Sequence, residues 1–487
     1  MVFVSPVPDG QPTIEFHLKR LRRGIEQNVG LVQAKSILAL LEAGVSLSDI
    51  VREVIGYAAS NLKAISEGVI RLGCVANLWL HLGQDTGYQA LYYAIRQIAA
   101  DTSGSVPHRQ KPPLTGGGDH APSLLKRWMR QWVNTRHADG AERTLLTTVQ
   151  TSALADVADL IFTAATQRLY ADGGHLMEDC NKTLQIAGLM GQERDSGLFP
   201  LLIARLTGGR GAEETTDWHH PVALAEPLLG IEEELEPLLA RPGESDVPGY
   251  VVDLFSGDDP LATIDAMKQV LSDGTCPAKL VRAVAFAAGS RLARFATSNE
   301  VTDWFNPQHT FIHANAVYLA VQRAPIPSVV RGVFHGAVAV YMDRFLNVPA
   351  ARLPRERGVG PSKTAQSETL AAFHDLLDQR ANIDDAASVI SGYLQAGYDI
   401  DALVDGIPLA TVREDLGFHS LQVLEVAVCQ CVAWADEAEH KETILVGVVR
   451  NLAAHCPTRR AGQQTARIAL KLQRGERIFE EEEASTG

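Results

Sequence analysis

"NIDDAASVISGYLQAG" (residues 382–397) carries the pattern of a single amphipathic helix. Asn382 stands where an N-cap belongs, and Asp384 and Asp385 fall in the positively polarised first turn. Ile383, Ala386, Val389, Ile390, Tyr393 and Leu394 recur at the three- and four-residue spacing of a buried stripe, and Gly397 stops the run. The same period returns at 31–44, 47–58, 61–81, 87–101, 121–135, 141–149, 152–167, 175–190, 198–206, 261–272, 277–298, 309–323, 326–346, 367–380, 411–436, 441–455 and 459–474. Strand alternation is nearly absent and no fixed-period repeat is visible. The spacing predicts an all-α fold: one large multi-helix assembly without regular repeats over 1–476, with a disordered acidic tail at 477–487.

Three stretches interrupt the helical rhythm. "TSGSVPHRQKPPLTGGGDHAPS" (102–123) is rich in Pro and Gly and reads as a flexible loop, a domain boundary or a lid. "ARLPRERGVGPSKTAQS" (351–367) is a second such loop with several cations, and 207–260 is acidic, broken by prolines and expected to be irregular.

Composition narrows the function. Hydrophobic residues make up 46% of the 487 and charged residues 21%, which is globular rather than disordered. A net charge of −14 argues against nucleic acid, whose phosphates demand surplus Lys and Arg. No apolar run is long enough to span a membrane, and "MVFVSPVPDGQPT" lacks the basic-then-apolar pattern of a signal peptide. Six scattered cysteines give no disulfide framework, so a cytoplasmic protein with reduced thiols is expected. Phosphate-binding, dinucleotide, zinc-protease and serine-hydrolase motifs are missing. A lone Glu437-x-x-His440 reads as a solvated helix end, because a di-iron bundle needs two such pairs and two further glutamates.

The histidines carry more chemistry. His175, His313, His335 and His419 each fall on the apolar face of a different expected helix. Any one of them is readily a core histidine bonded to a carbonyl. Four together would be desolvated at repeated expense, and one shared metal would satisfy them all. These four are the expected metal ligands, and neutral imidazole suits iron, copper, nickel or zinc. His309 stands four residues before His313, a spacing at which two imidazoles on one helix can share an ion.

"GGHLMEDCNKTLQ" (173–185) sets His175 and Lys182 on one face, two turns apart, with Glu178 and Asp179 beside them. A buried Lys182 must be paired with Glu178 or Asp179, or be neutral. A neutral lysine carbamylated by CO2 could offer an oxygen to the same metal. Lys182 and Glu178 are accordingly the expected catalytic or ligand-orienting groups.

"HADGAERTLLTTV" (137–149), "YADGGHLMEDCNK" (170–182), "FIHANAV" (311–317), and the runs at 331–354, 413–422 and 453–476 together resemble a bacterial group whose large helical domain is often followed by a Rieske iron–sulfur domain. That group is distantly similar to questin-oxidase-like proteins, all-α oxygenases of polyketide ring systems. Some of these hold non-haem iron with histidines and a carboxylated lysine. The resemblance implies an oxygenase-type metal site and places the ligand role on His175, His313, His335 and His419. Histidines stand in the group where this chain has Tyr93 and Gln97, so the site is altered if those are ligands there. No C-x-H or C-x-x-H pair occurs, so no Rieske cluster is expected in this chain, and a separate electron donor is one expected partner.

The combined expectation is an oxygenase or oxidoreductase with a buried non-haem iron, acting on a hydrophobic aromatic or polyketide-like small molecule. Trp304, Phe305, Phe311, Phe334 and Tyr341 are the expected pocket wall. Two alternatives stand beside it: a helical binding or scaffold protein with structural histidines, and a metal-free oxygenase whose histidines act as bases.

Overall fold

The structure is a computed structural model; it describes residues 13–108, 110–191, 197–216, 218–240 and 243–476. The tail expected to be disordered, 477–487, lies outside the described residues. Among these residues there are 23 α-helices and no strand, with one isolated bridge between Ser245 and Thr275. The fold is all-α. No helix among the described residues is long and apolar enough to cross a membrane. A continuous core runs from Leu21 to Ala469.

The helix expected from "NIDDAASVISGYLQAG" spans Ile383–Gln395, and Gly397 ends it with a left-handed φ of +70°. Asn382 holds the cap position, yet its amide donates to the Leu376 carbonyl at 3.2 Å instead of capping. Asp384 is spent on an ion pair with the fully buried Arg450.

Three departures from the periodicity have physical causes. Ile14–Glu26 is a helix in which only Leu21, Gly24 and Ile25 are buried, and its many charges obscure so thin a stripe. The acidic stretch expected to be irregular contains short helices at Ala225–Leu229, Ile231–Leu239 and Gly249–Phe255. Of the expected 411–436 helix only Phe418–Ala433 forms, and its first residues end a separate helix, Ile400–Val412, that the periodicity does not predict. Between them the fully buried Glu414 accepts from Thr458 N at 2.7 Å and Arg460 Nε at 2.7 Å, which draws the chain out of helical geometry. That break creates a new helix start beside His419.

Four helices surround the centre: α1 (Glu67–Leu78), α2 (His175–Leu189), α3 (Phe305–Arg323) and α4 (Phe418–Ala433). Their lateral contacts rise in step along all four, so they run in one direction. At the starting end Arg71 donates to Leu416 O, just before α4. Further along, Asn77 reaches both Gln185 and Glu425, Asn181 donates to Ala316 O at 2.6 Å, and Gln430 donates to Asn315 at 2.8 Å. The positive ends of these helices therefore gather at one pole.

The two Pro/Gly loops are fastened to the bundle surface. In 102–123, Leu114 N donates to Thr147 at 2.9 Å and Lys111 pairs with Asp139 at 2.9 Å. In 351–367, Arg355 pairs with Glu439 and Glu442, and Arg357 donates to Asp384 O.

Backbone proximity fixes where α1 sits. A methyl group at Gly68 would lie 2.5 Å from Ile98 N, so α1 can approach helix Gln84–Thr102 only through glycine. G68A should therefore lose about 1–3 kcal/mol of stability by overpacking. G56A, on an exposed helix position with open space around it, should gain about 0.5–1 kcal/mol. Urea unfolding of the two variants beside the parent chain measures both signs.

Candidate metal centre

The turn before α2 is built from left-handed backbone. Tyr170, Asp172, Gly173 and Gly174 have φ of 46°, 50°, 67° and 86°. Asp172 N donates to Arg210 O, and Arg210 N donates back to the Asp172 carboxylate, both at 2.9 Å. At Gly174 a Cβ would come within 2.7 Å of both His313 Cβ and the Tyr170 ring. Glycine alone permits that approach, and it makes His175 the first residue of α2.

His175 meets His419, the second residue of α4, and His309, in the first turns of α3. The Nε2 atoms of His309 and His419 are 3.0 Å apart, and those of His419 and His175 are 3.3 Å apart. All three rings are half-buried, and Phe305 and Phe418 close their flanks. Around an ion at about 2.0–2.1 Å, neighbouring nitrogens lie about 3.0 Å apart at right angles and about 3.4 Å at tetrahedral angles. The observed separations fall in that interval. Among the described residues no carboxylate or thiol joins this trio.

The electrostatics keep the rings neutral, as ligation requires. Burial, then His309 and His419, push His175 down to about 2. Burial lowers His309 to about 4, and burial, His309 and Arg71 lower His419 to about 3. Three helix starts lie near the same point and add to the resistance of the rings to protonation.

The expected quartet of His175, His313, His335 and His419 is not what converges. Two of its members join the trio. His313 is fully buried between Gly174 O and Gly332 O, 3.2 Å from its Nδ1 and Nε2 respectively. Burial keeps it neutral, so its single N–H donates to one of these two carbonyls and it packs between the glycine turn and the helix Pro327–Met342. His335 receives the Tyr170 N–H at Nδ1, at 3.4 Å, and its Nε2 has no hydrogen-bond partner. His309 takes the third place. Its sequence signal was the four-residue spacing to His313, but on α3 the two rings serve different neighbours.

Lys182 and Glu178 lie deeper in the bundle. Lys182 Nζ is 3.0 Å from Glu178 Oε1 and 2.7 Å from Glu425 Oε1, all three being buried. Glu425 was invisible as a partner because it is supplied by α4, 243 residues on. Asp179, the other expected partner, pairs instead with Arg205 at 3.1 Å, and burial lifts it to about 7. Burial opposes the Lys182 charge, but Glu178 and Glu425 outweigh it and hold the ammonium above the ordinary lysine value.

A cleft of about 370 Å³ opens beside His309. Tyr170 and Trp218, stacked at 5.7 Å, and Ala339 and Met342 give it apolar wall. Thr310, Arg210 and Asp343 make it polar in places. The buried Asp343 is raised to about 7 by desolvation, and its Oδ2 has no hydrogen-bond partner. Of the five aromatics expected to form the wall, none lines this cleft. Phe305 packs on the trio, Trp304, Phe311 and Phe334 are fully buried core, and Tyr341 packs edge-on against Phe345. Glu437 and His440 pair at 3.5 Å at a helix end, with His440 stacked on Trp434.

The chain matches no protein-family model, no curated protein and no solved structure.

Two outcomes follow from the buried charges. K182M strands Glu178 and Glu425 without a counter-ion and should lose about 3–5 kcal/mol, measured by chemical unfolding. The trio imposes a pH dependence of opposite origin. Its histidines are depressed below the ordinary 6.5, so the unfolded chain binds more protons on acidification. Stability should be full above pH 6.5 and fall as pH drops from there towards 4, and H419F should flatten that slope.

Proposed function

We propose that this protein is a metal-dependent oxidoreductase of the oxygenase type, with non-haem iron held by His175, His309 and His419. The observation that carries the reading is the convergence of three Nε2 atoms at 3.0 and 3.3 Å, drawn from three helices far apart in sequence. Three protein nitrogens leave coordination positions open, which is the pattern of a catalytic rather than a structural site. Iron in that position would supply the activation of dioxygen.

The chain's own groups account for the remainder. The Gly173–Gly174 turn, with His313 packed against it, orients His175, while Phe305 and Phe418 restrict water around the rings. The cleft beside His309 is sized for a small molecule, and the Tyr170–Trp218 stack favours a planar hydrophobic one. Reducing equivalents would come from the substrate or from a separate electron donor. The resemblance to questin-oxidase-like proteins agrees with this chemistry, with His309 in place of His313 and His335.

Metal analysis of untagged protein tests the proposal. H175A, H309A and H419A should each remove one equivalent of iron, and H335A should remove none. Reloading a chelator-stripped sample should restore iron-dependent oxygen uptake with a hydrophobic aromatic substrate. Equal iron in the parent chain and all three variants would overturn the assignment.

A further inference from the structure

Deeper in the bundle, beyond the histidines, a second group of ligand-type atoms meets. Cys74 of α1, Glu178 of α2 and Glu425 of α4 each place one such atom within 4.8 Å of the others. All three side chains are buried, at 0%, 1% and 5% exposure. The hydrogen-bond donors around them serve one side only. Lys182 Nζ lies against the Oε1 atoms of both glutamates, and Asn77 donates to the same Oε1 of Glu425. Neither oxygen of Glu178 has a hydrogen bond of good geometry, its Oε1 being held to Lys182 as an ion pair, and Oε2 of Glu425 has no hydrogen-bond partner. Gln422 sits one turn into α4, 1% exposed, with its amide against the Glu178 carboxylate, and its carbonyl oxygen has no hydrogen-bond partner.

We propose that Cys74, Glu178, Glu425 and the Gln422 carbonyl form a second metal site, for one divalent cation of the zinc, iron or cobalt class. Two ionised carboxylates against one ammonium leave a net −1 in the interior, a charge that either a bound proton or a metal ion balances. With the thiol ionised on metal binding the protein groups sum to −2, which one divalent ion cancels. The donor chemistry selects the class: a thiolate disfavours magnesium and calcium, while carboxylate and amide oxygens suit a borderline ion. Lys182 then keeps the Oε1 edges in place and orients the Oε2 edges towards the metal, the role outer hydrogen bonds play around ligating carboxylates. Glu425 also lines a surface cleft of about 480 Å³ with Asn77, His81 and Gln185.

Cobalt is the probe, since a thiolate ligand gives Co2+ a near-ultraviolet charge-transfer band that nitrogen and oxygen ligands do not. The chelator-stripped full chain is titrated with Co2+ and followed by absorbance and by metal content. Two equivalents are expected, with the band. C74S should abolish the band and one equivalent, and H309A should keep the band while losing the other equivalent. E425Q preserves side-chain volume and the thiol, and should weaken the band-forming event on the order of tenfold or more. It serves as the second variant should C74S not fold, as judged by circular dichroism. Absence of the band in the folded parent chain, or a band that C74S leaves intact, would overturn the proposal. Either result leaves the trio untouched, just as failure of the trio to bind leaves the band in place.

Discussion

The approach of Gly174 to His313 and Tyr170 governs the central chemistry. Any Cβ at that position would lie 2.7 Å from both neighbours, and the backbone there has a φ of 86°. Glycine removes the steric conflict and the conformational penalty together. Because α2 starts there and nowhere else, His175 emerges at the trio, while Glu178 and Lys182 fall one and two turns deeper. A shift of one residue would rotate all three by about 100° and dissolve both polar tiers.

The direction of the four central helices gives those tiers their character. Antiparallel neighbours would cancel one another's dipoles, whereas α2, α3 and α4 bring their starting ends to one place. There an imidazole stays neutral and available as a ligand, and an anion arriving at the open positions is favoured. Further in, the converging dipoles fade and formal charge takes over. Glu178, Glu425 and Lys182 hold one another in the buried interior, so each fixes the position of the other two. Such a cluster resists single substitutions because removing one member strands the rest.

His313 and His335 show why an imidazole on an apolar face is an ambiguous sign. His313 is wedged between carbonyls of two segments, a turn and a helix, with one N–H to give to one of them, and works as a fastener. His309 lies four residues away on the same helix and faces the other histidines. Orientation around one helix separates a fastener from a ligand, and a rotation of about 40° between positions i and i+4 is enough to do so.

The sequence by itself determined the helices, because a buried stripe needs apolar residues at a period of 3.6 whatever packs against it. The Ile383–Gln395 helix is legible for that reason, and so is the burial of Lys182 beside Glu178. The Gly173–Gly174 pair marked the start of α2, since two successive glycines before a stripe have few other uses. The tertiary structure alone decided that the 411–436 run breaks at Glu414, because the Thr458 and Arg460 groups that capture its carboxylate lie more than forty residues on. It alone chose His309 over His313, and it alone supplied Glu425 and Cys74 to Lys182 and Glu178. Periodicity records which face of a helix is buried. Which neighbour covers that face depends on the packing of distant segments, and no local pattern encodes it.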